Sequence, residues 1–347
     1  MKESKHTIGD LRQMQSLPLS AKITMTKRRI YDWYDYWQGD VYLSFSGGKD
    51  STVLKHIIDG MGLSIPSVFD NTGLEYPEIQ KFAMSQPNVT TVRPRMMFVD
   101  VIKTYGYPVI TKEISRAINY ATKATSENNW ALKKMRGEAI NPKNGEKSQY
   151  NYDKYAWLLD APFNISDQCC YVMKKDPLNK YAKETGRKPI TATMACESRL
   201  RKTQWMKVGC NAFESKKPRS SPMAFWTEQD VLHYIKEFNV PYCSVYGDIR
   251  AKQKAEDDPN QITFFDYLQQ YDCEELYTTG ADRTGCMFCM YGCHLEKEPN
   301  RFQRMKITHP RQYEYCIGGG EFVDGKWQPN KQGLGLGYVL DYIGVKY

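Results

Sequence analysis

Between residues 19 and 37 (LSAKITMTKRRIYDWYDYW), apolar and aromatic side chains recur at helical spacing with Lys and Arg between them, which predicts a helix. The short apolar run VYLSF (41–45) predicts a strand, and polar SGGKDS leads from it into a helix from 51 to about 59. Further strands are predicted at 65–69 (IPSVF), 89–92 and 189–194 (PITATM). WTEQDVLHYIKEF (226–238) reads as a helix with Thr227 as its N-cap. Apolar strands alternating with helices argue for an α/β fold, a parallel sheet with helices on both faces. A polar stretch from 118 to 158 carries the loop-like NPKNG and predicts a helical excursion with a mobile tip. Beyond about 250 the alternation fades into Cys-, Gly- and Tyr-rich sequence. The expected organisation is a nucleotide-binding domain over 1–250 and a Cys-rich module over 251–347, without internal repeats or low-complexity tracts.

Length agrees, since 347 residues at ~150 per domain give about two. With 41% hydrophobic and 25% charged residues, the composition excludes a disordered tail, a collagen-like rod and a small disulfide scaffold. No run approaches ~18 apolar residues and no apolar leader opens the chain, so a soluble cytoplasmic protein without a membrane partner is expected. The net charge of +8 suits anionic small molecules as well as nucleic acid. Twenty-five Tyr and seven Trp could supply base-stacking surfaces, but core and surface packing is the favoured reading of them. Ten Cys, none before residue 169, read as thiols and metal ligands rather than disulfides.

The segment SFSGGKDS (44–51) holds the densest chemistry. It stands between a strand and a helix, where backbone amides and the helix N-terminus favour an anion. Gly47 and Gly48 can take positive φ and let a phosphate approach the backbone. Ser44, Ser46 and Ser51 add hydroxyls, Lys49 a full charge and Asp50 a carboxylate. The glycine spacing differs from the G-x-x-x-x-G-K-[ST] loop of kinases and GTPases. A plain strand-to-helix turn with a solvated Lys49 is the alternative.

SFSGGKDS resembles the PP-loop signature of the ATP pyrophosphatase superfamily, whose members work at the α-phosphate of an adenine nucleotide. VFDNTGLEYPE (68–78), DQCCYVMKKDPLNKY (167–181) and SPMAFWTEQDVLHYIKEFNVPYC (221–243) narrow the resemblance to the phosphoadenylyl-sulfate (PAPS) reductase branch. Together they span roughly 20–250, and GCMFCMYGCHLE resembles the phage and mobile-element type. The resemblance implies the adenine nucleotide α-hydrolase-like fold, with Lys49 and Asp50 catalytic and Asp70, Thr72 and Glu75 beside the nucleotide. It further implies Mg²⁺ held by Asp70 or Asp50, a hard-oxygen site shared with phosphates. In ITATMACESRLRKTQW (190–205), Glu197, Ser198 and Arg201 match the substrate loop, whereas Met194 replaces the usual arginine and Ala192 the usual glycine.

GCMFCMYGC (285–293) spaces Cys286, Cys289 and Cys293 as C-x₂-C-x₃-C. Two thiolates of such a turn reach one metal, and Cys169 with Cys170 is a candidate remote pair. Resemblance to adenylyl-sulfate reductases implies a [4Fe-4S] cluster on Cys169, Cys170, Cys286 and Cys289. Zinc on Cys170, Cys286, Cys289 and Cys293 fits the spacing equally. Cys196, Cys210, Cys243 and Cys273 lack such spacing and read as core or surface thiols. The reductases' C-terminal E-C-G-L-H nucleophile has no counterpart here, and Cys316 in YEYCIGGGE is a weak substitute.

The expected activity is ATP-dependent adenylation coupled to sulfur transfer, with a sulfur donor and a nucleic-acid acceptor as partners. Reduction of PAPS or adenylyl sulfate to sulfite by a thioredoxin-like reductant is the alternative. A nucleotide-binding regulatory module without turnover is the third.

Overall fold

The computed structural model describes residues 4–252 and 274–347. These form two compact units, one from 4–71, 75–92, 178–252 and 274–284, the other from 72–74, 93–177 and 285–347. The division departs from the boundary expected at 250, which falls inside the first unit. Cysteine-rich residues 285–347 instead share a unit with the polar excursion, because their strand pairs with one that precedes it. Composition along the chain carries no trace of that pairing.

In chain order the strands are β1 (Val41–Phe45), β2 (Ser67–Asp70), β3 (Val89–Val92), β4 (Val109–Ile110), β5 (Lys188–Ile190) and β6 (Asn211–Ala212). β7 (Arg219–Ser220), β8 (Ile249–Ala251), β9 (Leu276–Thr278), β10 (Met290–Tyr291), β11 (Glu321–Val323) and β12 (Lys326–Gln328) follow.

The first unit is an α/β layer structure built on a sheet of order β3-β2-β1-β5-β7-β6. Neighbours are parallel except β6, which runs antiparallel to β7. β1 lies at the centre, with Leu43 opposite Ser67 on one side and Ile190 on the other. Val41, Tyr42, Leu43 and Phe45 are buried, as an apolar run covered on both faces requires. Ile30 and Trp33 of the helix Leu19–Tyr36 and Leu54 and Ile57 of the helix Lys49–Asp59 complete the core around them. From β1 the chain steps outward to β2 and β3, and later returns to the opposite side through β5 and β7. That reversal leaves a crevice at the carboxyl ends of β1 and β5, where open α/β sheets bind ligands.

The predicted strand 189–194 ends at Ile190: the Thr191 amide still donates to the Ser220 carbonyl at 2.9 Å, and beyond it the chain turns so that the hydroxyls of Thr191, Thr193 (2.6 Å) and Ser221 (3.0 Å) meet. The predicted helix 226–238 runs Glu228–Glu237, and Thr227 caps it. Asp230 closes that capping box, receiving the Thr227 amide at 2.7 Å. The same carboxylate takes Lys22 Nζ at 2.7 and 2.8 Å, a buried ion pair that ties this helix to Leu19–Tyr36.

In the second unit β4 pairs in parallel with β10, Val109 opposite Met290 and Ile110 opposite Tyr291. Gly106 enters this pair at φ +107°, where a Cβ would stand 2.4 Å from the Asn164 carbonyl, so only glycine fits. The polar excursion forms helices Lys112–Ala121 and Trp130–Arg136 and a 3₁₀ turn Asp153–Asp160. Among the described residues no helix is long and apolar enough to cross a membrane.

Candidate functional site

The phosphate-loop segment connects β1 to the helix Lys49–Asp59. Gly47 has φ +73°, and a Cβ there would press within 3.1 Å of Ala83 and Ile79. Gly48 departs from expectation: as the helix N-cap it has φ −74°, and its lack of a Cβ instead makes room for the Tyr246 hydroxyl. The loop is closed on itself. Ser51 Oγ donates to the Gly48 carbonyl at 3.0 Å and accepts the Ser46 amide at 3.2 Å. Ser44 lies within β1, opposite Val68.

A cavity opens beside this loop at the sheet's reversal point. Ser46, Gly48, Lys49 and Asp50 form one wall, and Met194, Cys196 and Glu197, just after β5, form another. Glu228, Tyr246, Arg283 and Thr284 complete it. Lys49 is only 5% exposed. Its Nζ pairs with Glu228 at 2.7 Å, donates to the Asp282 carbonyl and lies 5.2 Å from the Tyr246 ring centroid. Its amide donates to the Tyr246 hydroxyl at 3.2 Å, and that hydroxyl meets Thr284 Oγ1 at 2.6 Å. Asp50 Oδ1 is buried without a hydrogen-bond partner among the described residues. Burial pushes the Asp50 carboxyl up, and neighbouring Lys49 opposes it.

Arg201 pairs with Glu197, and burial together with the like charge of Arg283 pulls its guanidinium down. Met194 is buried in the core, so the position of the family's arginine contributes no charge. Arg283, from a distant segment, brings a guanidinium to the cavity instead, without an ion pair or hydrogen bond among the described residues. Cys196, expected to be an ordinary thiol, faces the cavity and donates to the Trp226 carbonyl at 3.4 Å. Burial pushes this thiol up, and Asp50 adds to the effect.

Asp70 ends β2, Glu75 is half-buried in the first unit, and Thr72 belongs to the second, where its hydroxyl accepts the Leu74 amide at 3.1 Å. None of the three lines the cavity. Glu228, Tyr246, Arg283 and Thr284 escaped sequence reasoning. Glu228 reads as an ordinary first-turn acid, and the other three stand in no motif.

In the second unit Cys169 and Cys170 precede the π-helical turn Tyr171–Lys175. Cys169 donates its S–H to Cys170 at 4.0 Å. That bond, with the charges of Lys112 and Lys174 behind it, pulls the Cys170 thiol down to about 6. Cys169 is pushed up by the same bond, then by burial, then by Cys170, Cys289 and Cys286. Four thiols from two chain segments are therefore in electrostatic reach of one another. Cys293 turns away, donating to the Met290 carbonyl at 3.0 Å, and burial pushes it up to about 11. Arg301 Nη1 holds the Cys289 carbonyl at 2.8 Å. Arg116 grips Asp167 Oδ2 at 2.8 and 2.9 Å, while buried Asp167 Oδ1 and Tyr291 Oη have no hydrogen-bond partner among the described residues. No three His, Cys, Asp or Glu of the described residues stand close enough to hold a single ion. Cys316 is fully buried, which removes it as an accessible nucleophile, and Cys273 lies outside the described residues.

No curated protein matches the chain. A phosphoadenylyl-sulfate (PAPS) reductase from Candida auris, solved as a phosphate complex, is 17% identical over 63% of this chain and 82% of its own, with a TM-score of 0.36. The U34-tRNA thiolase NcsA from Methanococcus maripaludis, solved with its [4Fe-4S] cluster, is 14% identical over 72% of this chain and 71% of its own, with a TM-score of 0.31. The family model described as the phosphoadenosine phosphosulfate reductase domain matches residues 109–291, a span that draws on both units. Since that span exceeds half of the 347 residues, the chain belongs to the phosphoadenosine phosphosulfate reductase family.

Proposed function

We propose that this chain binds ATP on residues 46–51 and adenylates an acceptor oxygen, after which a sulfur nucleophile bonds to the activated acceptor atom and AMP leaves with that oxygen. The observation that carries the reading is the cavity at the sheet's reversal point, which Lys49, Arg283 and the loop residues Ser46, Gly48 and Asp50 line together. An acceptor oxygen attacks the α-phosphorus, the bond to the bridging oxygen breaks, and pyrophosphate leaves with its electron pair. Lys49 exchanges Glu228 for phosphate oxygens and stabilises the developing charge, the leading contribution in such transfers. The unpartnered oxygen of Asp50 fits a Mg²⁺ that arrives with the nucleotide, and Asp70 is a second candidate. Release of pyrophosphate from ATP, measured with and without candidate acceptors and a sulfide donor, tests the reading. Its absence under all conditions rejects it.

The thiols of Cys169, Cys170, Cys286 and Cys289 are the candidate ligands of a [4Fe-4S] cluster. Cys170, Cys286 and Cys289 each disfavour ionisation of Cys169, so two distant chain segments bring thiols within electrostatic range, as a thiolate-held cluster requires. When bound, the cluster supplies electron transfer or a site for sulfur ligation. Lys112 and Lys174 offset the charge of the thiolates that hold it.

The family match and the thiol of Cys196 at the cavity favour a second reading, reduction of a sulfonucleotide. Here the Cys196 thiolate attacks the sulfate sulfur, an S–S bond forms and the nucleotide leaves. A dithiol reductant of the thioredoxin class then releases sulfite and becomes a disulfide. Sulfite release from PAPS or adenylyl sulfate, abolished in Cys196→Ser, distinguishes this reading.

A further inference from the structure

Lys112 and Arg116 at the start of the polar excursion face the thiol site, and the rest of the excursion forms a separate hydrogen-bonded surface. Helices Lys112–Ala121 and Trp130–Arg136 pack through buried Ile114, Ala117, Ile118, Ala131 and Met135. Asn129 caps the second helix, its Oδ1 accepting the Ala131 amide at 2.8 Å. The following loop is pinned by Asn141 N to Glu146 O and Ser148 N to Ala139 O, both 2.8 Å. Large rings nevertheless face water: Tyr120 and Trp130 are each 51% exposed and Tyr150 is 57% exposed. The Tyr120 and Trp130 rings lie 5.8 Å apart. Lys134 Nζ stands 5.6 Å from the Trp130 centroid, 5.4 Å from Tyr152 and 5.9 Å from Tyr150.

Along 118–158 Lys and Arg outnumber Asp and Glu by seven to four, and Lys134 stands among the rings. Glu127 is taken by Arg136 and Asp153 by Lys147. Lys123, Lys133, Lys134 and Lys143 have no carboxylate partner among the described residues. Exposed rings interleaved with uncompensated ammonium groups complement a polymer that offers flat apolar faces and regularly spaced anions. An acidic peptide would use the charges and leave the rings wet. A duplex would hide its base faces inside its own stack.

We infer that this face binds a single-stranded nucleic acid, with bases stacked on Trp130 and Tyr150 and phosphates on the surrounding lysines. The inference names the acceptor class for the adenylation reading, and it stands without that reading, because none of these residues belongs to the phosphate loop.

Anisotropy titrations of the full chain with fluorescent single-stranded DNA and RNA 12-mers, between ~50 and ~200 mM salt, test it. Single strands are expected to bind about tenfold tighter than the same sequences as duplexes. Trp130→Ala should weaken binding about tenfold, as loss of one stacked base implies, and Trp130→Phe should recover most of it. The double variant Lys133→Glu, Lys143→Glu should flatten the log–log salt dependence by about 0.7 for each phosphate that is no longer neutralised. Circular dichroism verifies that each variant is folded. Lys49→Ala should bind oligonucleotide like wild type, so failure of the loop chemistry and failure of this surface are separately visible. Duplex bound as tightly as single strand, Trp130→Ala bound as tightly as wild type, or displacement of the oligonucleotide by polyglutamate of equal charge would each overturn the inference.

Discussion

The cavity of the first unit and the thiol cluster of the second solve opposite electrostatic problems. In the cavity the buried Lys49 already has Glu228, whereas Arg283 has no ion pair or hydrogen bond among the described residues, so an arriving phosphate exchanges one partner and supplies another. In the cluster four thiols converge, those of Cys170, Cys286 and Cys289 disfavour ionisation of Cys169, and Tyr291 Oη and Asp167 Oδ1 stay buried without hydrogen bonds among the described residues. A site of the first kind keeps its buried lysine paired when empty. A site of the second kind gains much of its stability from whatever joins its ligands.

The contrast is most open to attack at the cysteines. Cys286→Ser and Cys289→Ser should each reduce iron and sulfide content after anaerobic purification to about a tenth of wild type or less, and lower the melting temperature. Both variants keeping full metal would place it elsewhere. Next comes the self-sufficiency of the first unit. Asp230→Ala leaves Lys22, 2% exposed, without its carboxylate, and should cost about 3–5 kcal/mol in urea unfolding. A loss near zero would show that water reaches Lys22.

Lys49→Ala should weaken ATP binding by ~1.5–3 kcal/mol, roughly ten- to a hundredfold by calorimetry. The melting temperature should barely move. Equal affinity in both proteins would sink the phosphate-cradle reading. The smallest effect sharpens the contrast best. Glu228 is 48% exposed, so its pair with Lys49 is weak and competes with phosphate. Glu228→Gln should therefore tighten ATP binding about threefold. Weaker binding would mean that Glu228 positions Lys49 instead of restraining it.

What the sequence revealed follows from how locally each feature is encoded. The helix Leu19–Tyr36, the strand Val41–Phe45 and the Thr227 cap were readable because periodicity and capping act within a few residues. The strand-to-helix turn of Ser46 to Ser51 was readable because its residues are contiguous. Arg283 and Tyr246 were not, since the fold brings them to Lys49 from segments without a pattern of their own. The two-residue strands β4 and β10 lie far apart in the chain, and no pattern that short can announce a pairing. The domain boundary was misplaced for the same reason.

That pairing bears on how the protein is made. At about 5–20 residues per second, Cys289 leaves the peptidyl transferase centre roughly 6–24 s after Cys170, which lies 119 residues earlier (289 − 170). Throughout that interval β4 has no β10, and Cys169 and Cys170 wait without Cys286 and Cys289. Cys170, whose ionisation the Cys169 S–H bond and the charges of Lys112 and Lys174 favour in the finished fold, must be kept from premature oxidation until its partners emerge. Ribosome pausing between codons 170 and 289, or a shift to oxidant during synthesis, should lower the yield of the second unit while sparing the sheet of the first.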